Sequence, residues 1–280
     1  MPASPPALKS PPARPWHASA IIRGSVALHA GAAALTVARP QLWPWTLGAV
    51  LADHLLLTAA GLWPRSRLLG PNLTRLPAAA GACVALTIDD GPDPQVTPEV
   101  LALLAARGAP ATFFCIGERV RRFPALAREI VARGHCIENH SEHHRLTFSL
   151  LGPRGMAREV QQAQASIADV TGEAAQFFRA PAGLRNPGLE PVLAHAGLRL
   201  ASWTRRGFDT VNEDPARIFA RLTRNLAGGD ILLLHDGHAA RTTGGTPVIL
   251  DVLPRLLDAL AAASLTPVTL RTACAGAAPA

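Results

Sequence analysis

The sequence predicts an α/β protein in which about seven parallel strands form a barrel or wound sheet behind an N-terminal apolar helical hairpin. Three observations lead there. From residue 82 onward, short apolar runs alternate with segments long enough for helices, the rhythm of βα units. Polar motifs stand directly after those runs, at the edge where parallel α/β folds keep their active sites. Before residue 64 lie two apolar stretches, each close to the roughly 20 residues that cross ~30 Å of hydrocarbon.

Taken in order, residues 1–16 are rich in Pro, Ala and Ser with Lys9 and Arg14, and read as a disordered basic leader. Residues 17–64 read as a transmembrane hairpin. Its apolar stretches run from about Ala18 to Ala38 and from about Leu42 to Trp63, joined at Arg39-Pro40-Gln41, with Trp43, Trp45 and Trp63 at interfacial positions. Two alternatives stay open: a signal peptide with its apolar region over 24–38, or one span preceded by a surface helix. Asp53 and His54 fall mid-stretch, where His29 is the natural partner. Lys9, Arg14 and Arg23 flank one end and Arg65, Arg67 and Arg75 the other. By the positive-inside rule this leans the following domain towards the cytoplasmic face of a bacterial-type inner membrane.

After a linker at 65–81, the domain at 82–272 carries strands near Val84, Phe113, Ile137, Phe178, Ala201, Leu233 and Val268, and the tail is 273–280. Thr97 before Pro98 and Asp214 before Pro215 announce two helices, closing at Gly108 and near Gly228. Pro187–Gly197 and Pro247–Ala263, rich in Leu, Val and Ala, are helices that cover the strands.

Composition bounds the partners. The net charge is +7, but the basic residues are almost all Arg, scattered without aromatic interleaving, which argues against nucleic acid and suits anionic lipid. The four cysteines show no paired spacing and read as small buried thiols.

Four motifs carry chemistry. Leu86-Thr87-Ile88-Asp89-Asp90-Gly91-Pro92 brings two carboxylates to a strand end. In His140-Ser141-Glu142-His143-His144 the outer histidines, spaced i and i+4, share one face of a helical turn and can grip one metal, with Asp90 as third ligand. His143 is the rival to His144. Arg179-Ala180-Pro181-Ala182-Gly183 and Leu232-Leu233-Leu234-His235-Asp236-Gly237 each follow an apolar run.

Together these motifs resemble the polysaccharide deacetylase family, the carbohydrate esterases (family 4) with a NodB-homology domain, over roughly residues 82–272. The resemblance implies a distorted, incomplete (β/α) barrel. It implies Asp89 as catalytic base, Asp90, His140 and His144 as metal ligands, Arg179 as holder of the base, a backbone N–H at Ala182 for the oxyanion, and His235 as catalytic acid. Two positions depart from the family pattern: Ala182 replaces an aromatic residue, and Arg206 and Asp209 stand in for Asp-x-x-Asp-Trp, with Thr210 in place of the Trp. Asp209, or else Asp236, then orients His235. Leu232 and Leu234 are placed at the acyl methyl.

The expected activity is metal-dependent hydrolysis of an N-acyl, foremost N-acetyl, group on an amino sugar of a glycan or lipid-linked glycan. Zn2+ is the first choice of ion, with Co2+ or Ni2+ able to substitute. The alternatives are a deformylase of a polyprenyl-linked amino sugar and a non-catalytic, metal-holding carbohydrate-binding protein.

Overall fold

A computed structural model describes residues 11–275. Most of the expected leader and the end of the expected tail lie outside them. Arg14 lies against the domain: its guanidinium meets Glu190 at 3.1 Å and donates to the Leu198 carbonyl at 2.6 Å.

Two helices open the described chain, α1 (Ala20–Ala38) and α2 (Trp43–Leu62), joined by a short 3-10 turn at Pro40–Leu42. Both are long and apolar enough to cross a membrane, and none of α1 is buried. They pack as an antiparallel pair with polar contacts in an otherwise apolar seam. Ser25 donates to Asp53 at 2.6 Å, His29 and His54 meet Nε2 to Nε2 at 3.0 Å, and the Thr36 and Thr46 hydroxyls lie 2.7 Å apart. Such bonds pair helices where no water competes for the groups. Exposed tryptophans mark both ends, Trp16 and Trp63 at one and Trp43 and Trp45 at the other.

The domain then runs β1 (Cys83–Asp89), α3 (Thr97–Ala105), β2 (Thr112–Cys115), α4 (Gly117–Arg122), α5 (Pro124–Ala132), β3 (Cys136–Asn139) and α6 (Pro153–Thr171). It continues with β4 (Phe177–Phe178), α7 (Leu189–His195), β5 (Arg199–Leu200), β6 (Arg205–Arg206), α8 (Pro215–Thr223) and β7 (Ile231–His235), and ends with α9 (Val248–Ala262), β8 (Thr266–Val268) and α10 (Leu270–Ala273). All pairings are parallel, in the order β5-β4-β3-β2-β1-β7-β6. β8 pairs with the first half of β1, whose second half pairs with β2, so the two share one edge of the central strand. The β6 strand, two arginines long, gave no apolar run to betray it.

The sheet is a barrel that does not close, as the resemblance implied. No pairing joins β5 to β6 among the described residues. The chain arriving from the hairpin occupies that seam instead. Leu73 N–H donates to the Leu200 carbonyl and Ser202 N–H to the Leu73 carbonyl, both at 2.9 Å, while Leu76 N–H reaches the Gly229 carbonyl at 2.8 Å. The Thr204 hydroxyl donates to the Thr74 carbonyl at 2.6 Å, and Arg75 pairs with the buried Asp230 at 3.0 Å. The expected linker is therefore bonded along the open edges.

Strand alternation divides the core into two layers. Val84, Leu86, Ile88, Phe113, Ile137, Leu232 and Leu234 face the helices, while Ala85, Phe114, Phe177, Ile231 and Leu233 face the barrel interior. Burying a Leu or Phe in either layer stabilises by about 1.5–3 kcal/mol. Asp214 caps α8 as expected, accepting from Ala216 and Arg217 N–H groups. Thr97 does not cap α3. Asp93 accepts from the Gln95 and Val96 N–H groups there, which frees the Thr97 hydroxyl to donate to Asp236 at 2.5 Å.

The end of α2 is joined to the loop after β4. Arg185 N–H donates to the Gly61 carbonyl at 3.2 Å, Arg185 Nη2 to the Ser66 carbonyl at 2.5 Å, and Ser202 Oγ to the Pro64 carbonyl at 2.7 Å. A methyl group on Gly61 would sit 2.2 Å from the Arg185 carbonyl oxygen, too close for any side chain. Gly61→Ala is therefore expected to destabilise the full chain by about 1–3 kcal/mol, the usual cost of overpacking. Thermal unfolding checks this, and a melting curve identical to wild type would show that the junction is not tight.

Candidate active site

Period-2 alternation in β1 and β7 decides what enters the barrel. Counting from Ala85, the residues facing inward are Thr87 and Asp89, and from Ile231 they are Leu233 and His235. The register sets Asp89 beside His235, so a carboxylate and an imidazole meet at the carboxyl edge of adjacent strands. Leu232 and Leu234, expected at the acyl methyl, point the other way into the helix-facing core. Leu233 takes their place, lining a cavity of about 410 Å³ with Asp89, Asp90, His140, His144 and His235. Parity along the strand explains the correction: a motif flanking His235 by one residue on either side cannot share its face.

Asp89 is held from below by Arg179, whose side chain is 1% exposed. Its Nη1 donates to Asp89 Oδ1 at 2.6 Å and to Thr87 Oγ1 at 2.9 Å, Nε donates to the Ala201 carbonyl at 3.2 Å, and Nη2 to the Ser202 carbonyl at 2.7 Å. The guanidinium lies 4.0 Å over the Phe114 ring. Burial lowers the Arg179 pKa, with the Asp89 carboxylate opposing. Removing Arg179 alone would strand a buried carboxylate, a defect that costs about 3–5 kcal/mol.

Next to this pair three donor atoms converge. His140 Nε2 lies 3.2 Å and His144 Nε2 3.3 Å from Asp90 Oδ1, a buried oxygen with no hydrogen-bond partner. His140 Nδ1 lies 2.8 Å from the Arg179 carbonyl and must carry the proton there, leaving Nε2 as a lone pair turned to the carboxylate. Burial, and then His140, bring the His144 pKa down to about 4, so this ring is neutral. Burial opposes ionisation of Asp90, yet the facing His140, His238 and His235 side chains hold its pKa well below the usual value. Lone pairs facing one another across such distances fit a cation between them, and two imidazoles with one carboxylate match an open catalytic zinc site.

The two histidines do not share a helical turn. Residues 140–146 form a loop, and left-handed backbone at Ser141 (φ 63°) and His144 (φ 49°) turns both rings to Asp90. His143 points away, with Nδ1 3.0 Å from Glu159. The only other such donor group among the described residues, His29, Asp53 and His54, lies between α1 and α2.

On the far wall, His235 Nδ1 lies 2.8 Å from Asp209 Oδ1, and Asp209 Oδ2 accepts from His235 N–H at 2.8 Å. Asp236 does not share in this. It accepts from Thr97 and from Gly237 N–H at 2.9 Å, and burial raises its pKa to about 7. The two glycines of the paired motifs are needed for close approach. A Cβ on Gly91 would lie 2.6 Å from both Asp236 oxygens, and one on Gly237 would lie 2.5 Å from the Asp90 carbonyl oxygen. Ala182 lines the cavity with a left-handed backbone (φ 55°), beside Trp203, Arg206 and Thr210. His238, just outside the Leu232–Gly237 motif, lies 3.2 Å from Asp90 Oδ2. Its only signal was its place three residues after His235.

The polysaccharide deacetylase family model matches residues 78–201. The chain is 38% identical over 155 residues to a chitooligosaccharide deacetylase of Sinorhizobium fredii, covering 55% of this chain and 72% of that one. It is 35% identical over 175 residues to a peptidoglycan-N-acetylglucosamine deacetylase of Bacillus cereus, covering 62% and 81%. Among solved structures it is similar to a family 4 carbohydrate esterase from Streptomyces lividans in complex with acetate, with 32% identity, coverage of 66% and 91%, and a TM-score of 0.60.

The His235–Asp209 pair generates a pH prediction. Burial alone would lower the His235 pKa; Asp209 outweighs it, by charge and hydrogen bond, with help from Asp89 and Asp90, and lifts it to about 9. The imidazolium, and the stability this pair adds, are therefore complete below the ordinary value near 6.5 and lost as pH rises through about 9. Asp209→Asn is expected to bring the titration back towards or below neutrality. Imidazole NMR would read it, and an unmoved midpoint would show that Asp209 does not set the charge.

Proposed function

The chain belongs to the polysaccharide deacetylase family, hydrolases acting on amide C–N bonds, and from that premise we propose that it removes an N-acetyl group from an amino sugar of a glycan, with N-acetylglucosamine as the unit indicated by its relatives. One observation carries the reading: the Asp90–His140–His144 donor set, the Arg179-held Asp89 and the Asp209-held His235 all line one cavity.

Asp90, His140 and His144 are the residues that would hold a divalent cation, with zinc first on donor type and cobalt or nickel able to compete. When bound, such an ion supplies Lewis-acid polarisation of the acyl carbonyl and a more acidic water. Asp89 takes the proton of the attacking water, its carboxylate fixed in place by Arg179. The backbone N–H of Ala182 faces the developing oxyanion. As the C–N bond breaks, His235 in its imidazolium form gives a proton to the departing nitrogen, and Asp209 holds that ring and its charge. The products are a free amine and a carboxylate. Leu233 and Trp203 supply apolar wall for the acyl methyl. A purely metal-holding role would leave the Asp89–Arg179 and His235–Asp209 pairs without a task.

The hairpin anchors the enzyme in an inner membrane, with both ends on the cytoplasmic side as the flanking arginines indicate. Because α2 ends against the active-site loop, a lipid-linked amino sugar is the form of substrate this placement favours. A formyl group in place of acetyl is a second reading, supported by the same placement.

Acetate release from N-acetylglucosamine oligomers, with metal content measured in parallel, separates the roles. Asp89→Asn is expected to keep its metal and lose roughly 10²–10⁴-fold in turnover, the usual worth of a general base. His140→Ala is expected to lose both metal and activity, and a chelator should abolish acetate release by the wild type. Wild-type activity in Asp89→Asn would refute the base assignment.

A further inference from the structure

A second cavity, of about 660 Å³, lies against the first and shares Trp203 and Arg206 with it. Its walls carry five arginines, Arg65, Arg205, Arg206, Arg221 and Arg224, and no carboxylate. Arg205 pairs with the buried Asp230, which Arg75 shares, and also donates to the Arg224 and Asn225 carbonyls. The other four have no acidic partner within 4.0 Å among the described residues.

Two of these four are fixed face-on to one ring. Phe208 sits in a left-handed backbone conformation (φ 63°), unusual for so bulky a residue, and stands 43% exposed. The Arg206 guanidinium lies 5.0 Å and that of Arg221 5.1 Å from its centroid, so like charges are gathered on one side chain with nothing to offset them. Arg206 also lies 5.4 Å over Trp203, and its Nε is buried without a hydrogen-bond partner. An array of this kind attracts an anion, and planar guanidinium forks match phosphate oxygens best.

The cavity's position names the source of that phosphate. Its wall includes Trp63, the first residue after the apolar helix α2, so it opens where the hairpin leaves the bilayer. In a lipid-linked 2-amino sugar such as N-acetylglucosamine the acylated nitrogen is on C2 and the phosphate on C1, the neighbouring carbon. One sugar ring thus spans two adjoining sites, the acyl group in the first cavity and the phosphate in the second. We propose that the arginine cavity binds the phosphate or diphosphate of a lipid-linked N-acylated amino sugar and so selects it over the free glycan. This rests on the deacylase reading above.

The test uses the full chain in neutral-detergent micelles. Deacylation is measured on N-acetylglucosamine disaccharide, on its 1-diphosphate and on a short-chain prenyl ester of that diphosphate, while geranyl diphosphate binding is followed by calorimetry. Wild type is expected to show at least a tenfold higher kcat/KM on the prenyl diphosphate substrate than on the free disaccharide. In Arg221→Gln/Arg224→Gln that ratio should fall towards one and geranyl diphosphate should bind at least tenfold more weakly, whereas Arg221→Lys should keep most of both effects. Geranyl diphosphate binding unchanged by the double substitution, alongside normal turnover, would overturn the cavity assignment and leave the deacylase standing. Binding lost in the variant with none of the three sugars deacylated would support the cavity and overturn the deacylase reading. Inorganic pyrophosphate binding as tightly as geranyl diphosphate, or phosphatidylglycerol vesicles competing as well, would overturn the assignment to substrate lipid.

Discussion

A guanidinium buried at the centre of a barrel must find protein acceptors for its N–H groups, because leaving them unpaired out of solvent is costly. Arg179 makes four such bonds, drawing on two stretches of the chain: Thr87 and Asp89 of β1, and the carbonyls of Ala201 and Ser202 beyond β5. The Phe114 ring of β2 closes its face. Satisfying one side chain therefore fixes the height of β1, the path of the chain after β5 and the rotamer of Asp89 together. The backbone of the same residue receives His140, so the metal-donor set and the acid–base set are referred to one point.

Much of this was legible in the sequence, for identifiable reasons. Carboxylates and histidines after apolar runs can only lie at a strand edge, and seven such runs with capped helices between them leave few architectures. What escaped was set by backbone conformation and by parity. The spacing of His140 and His144 fits a helical turn, but it fits equally a loop with left-handed residues, and spacing alone carries no sign of φ. Leu232 and Leu234 are a different case. Alternation from His235 already placed Leu233 on the same face, so the error was readable. The β6 strand, Arg205–Arg206, and the edge-filling stretch Leu73–Leu76 have no apolar signature because each lies beside a seam rather than inside a sheet. Asp209 was faint for another reason. Its family motif is altered on both sides, and only the two bonds to His235 reveal it.

The two departures from the family pattern change the same region. Ala182 and Thr210 both remove aromatic bulk from the cavity wall, and Arg206 brings a cation where the pattern has an acid. Loss of the acid beside Asp209 has not loosened His235, which keeps a fully buried carboxylate on Nδ1. The basic and open part of the wall at Ala182, Arg206 and Thr210 is thus separate from the Asp89–Arg179 and His235–Asp209 pairs, which keep their bonds beside it.

The strip Leu73–Leu76, hydrogen-bonded to the open edges at β5 and Gly229, also bears on where the chain can be divided. A sheet domain cut free of this strip would leave unsaturated edges bare, a recipe for adhesion between copies. The helical pair and the sheet domain are consequently not interchangeable cassettes: an excision that took Leu73–Leu76 away with the helices would uncover the seam that this strip fills.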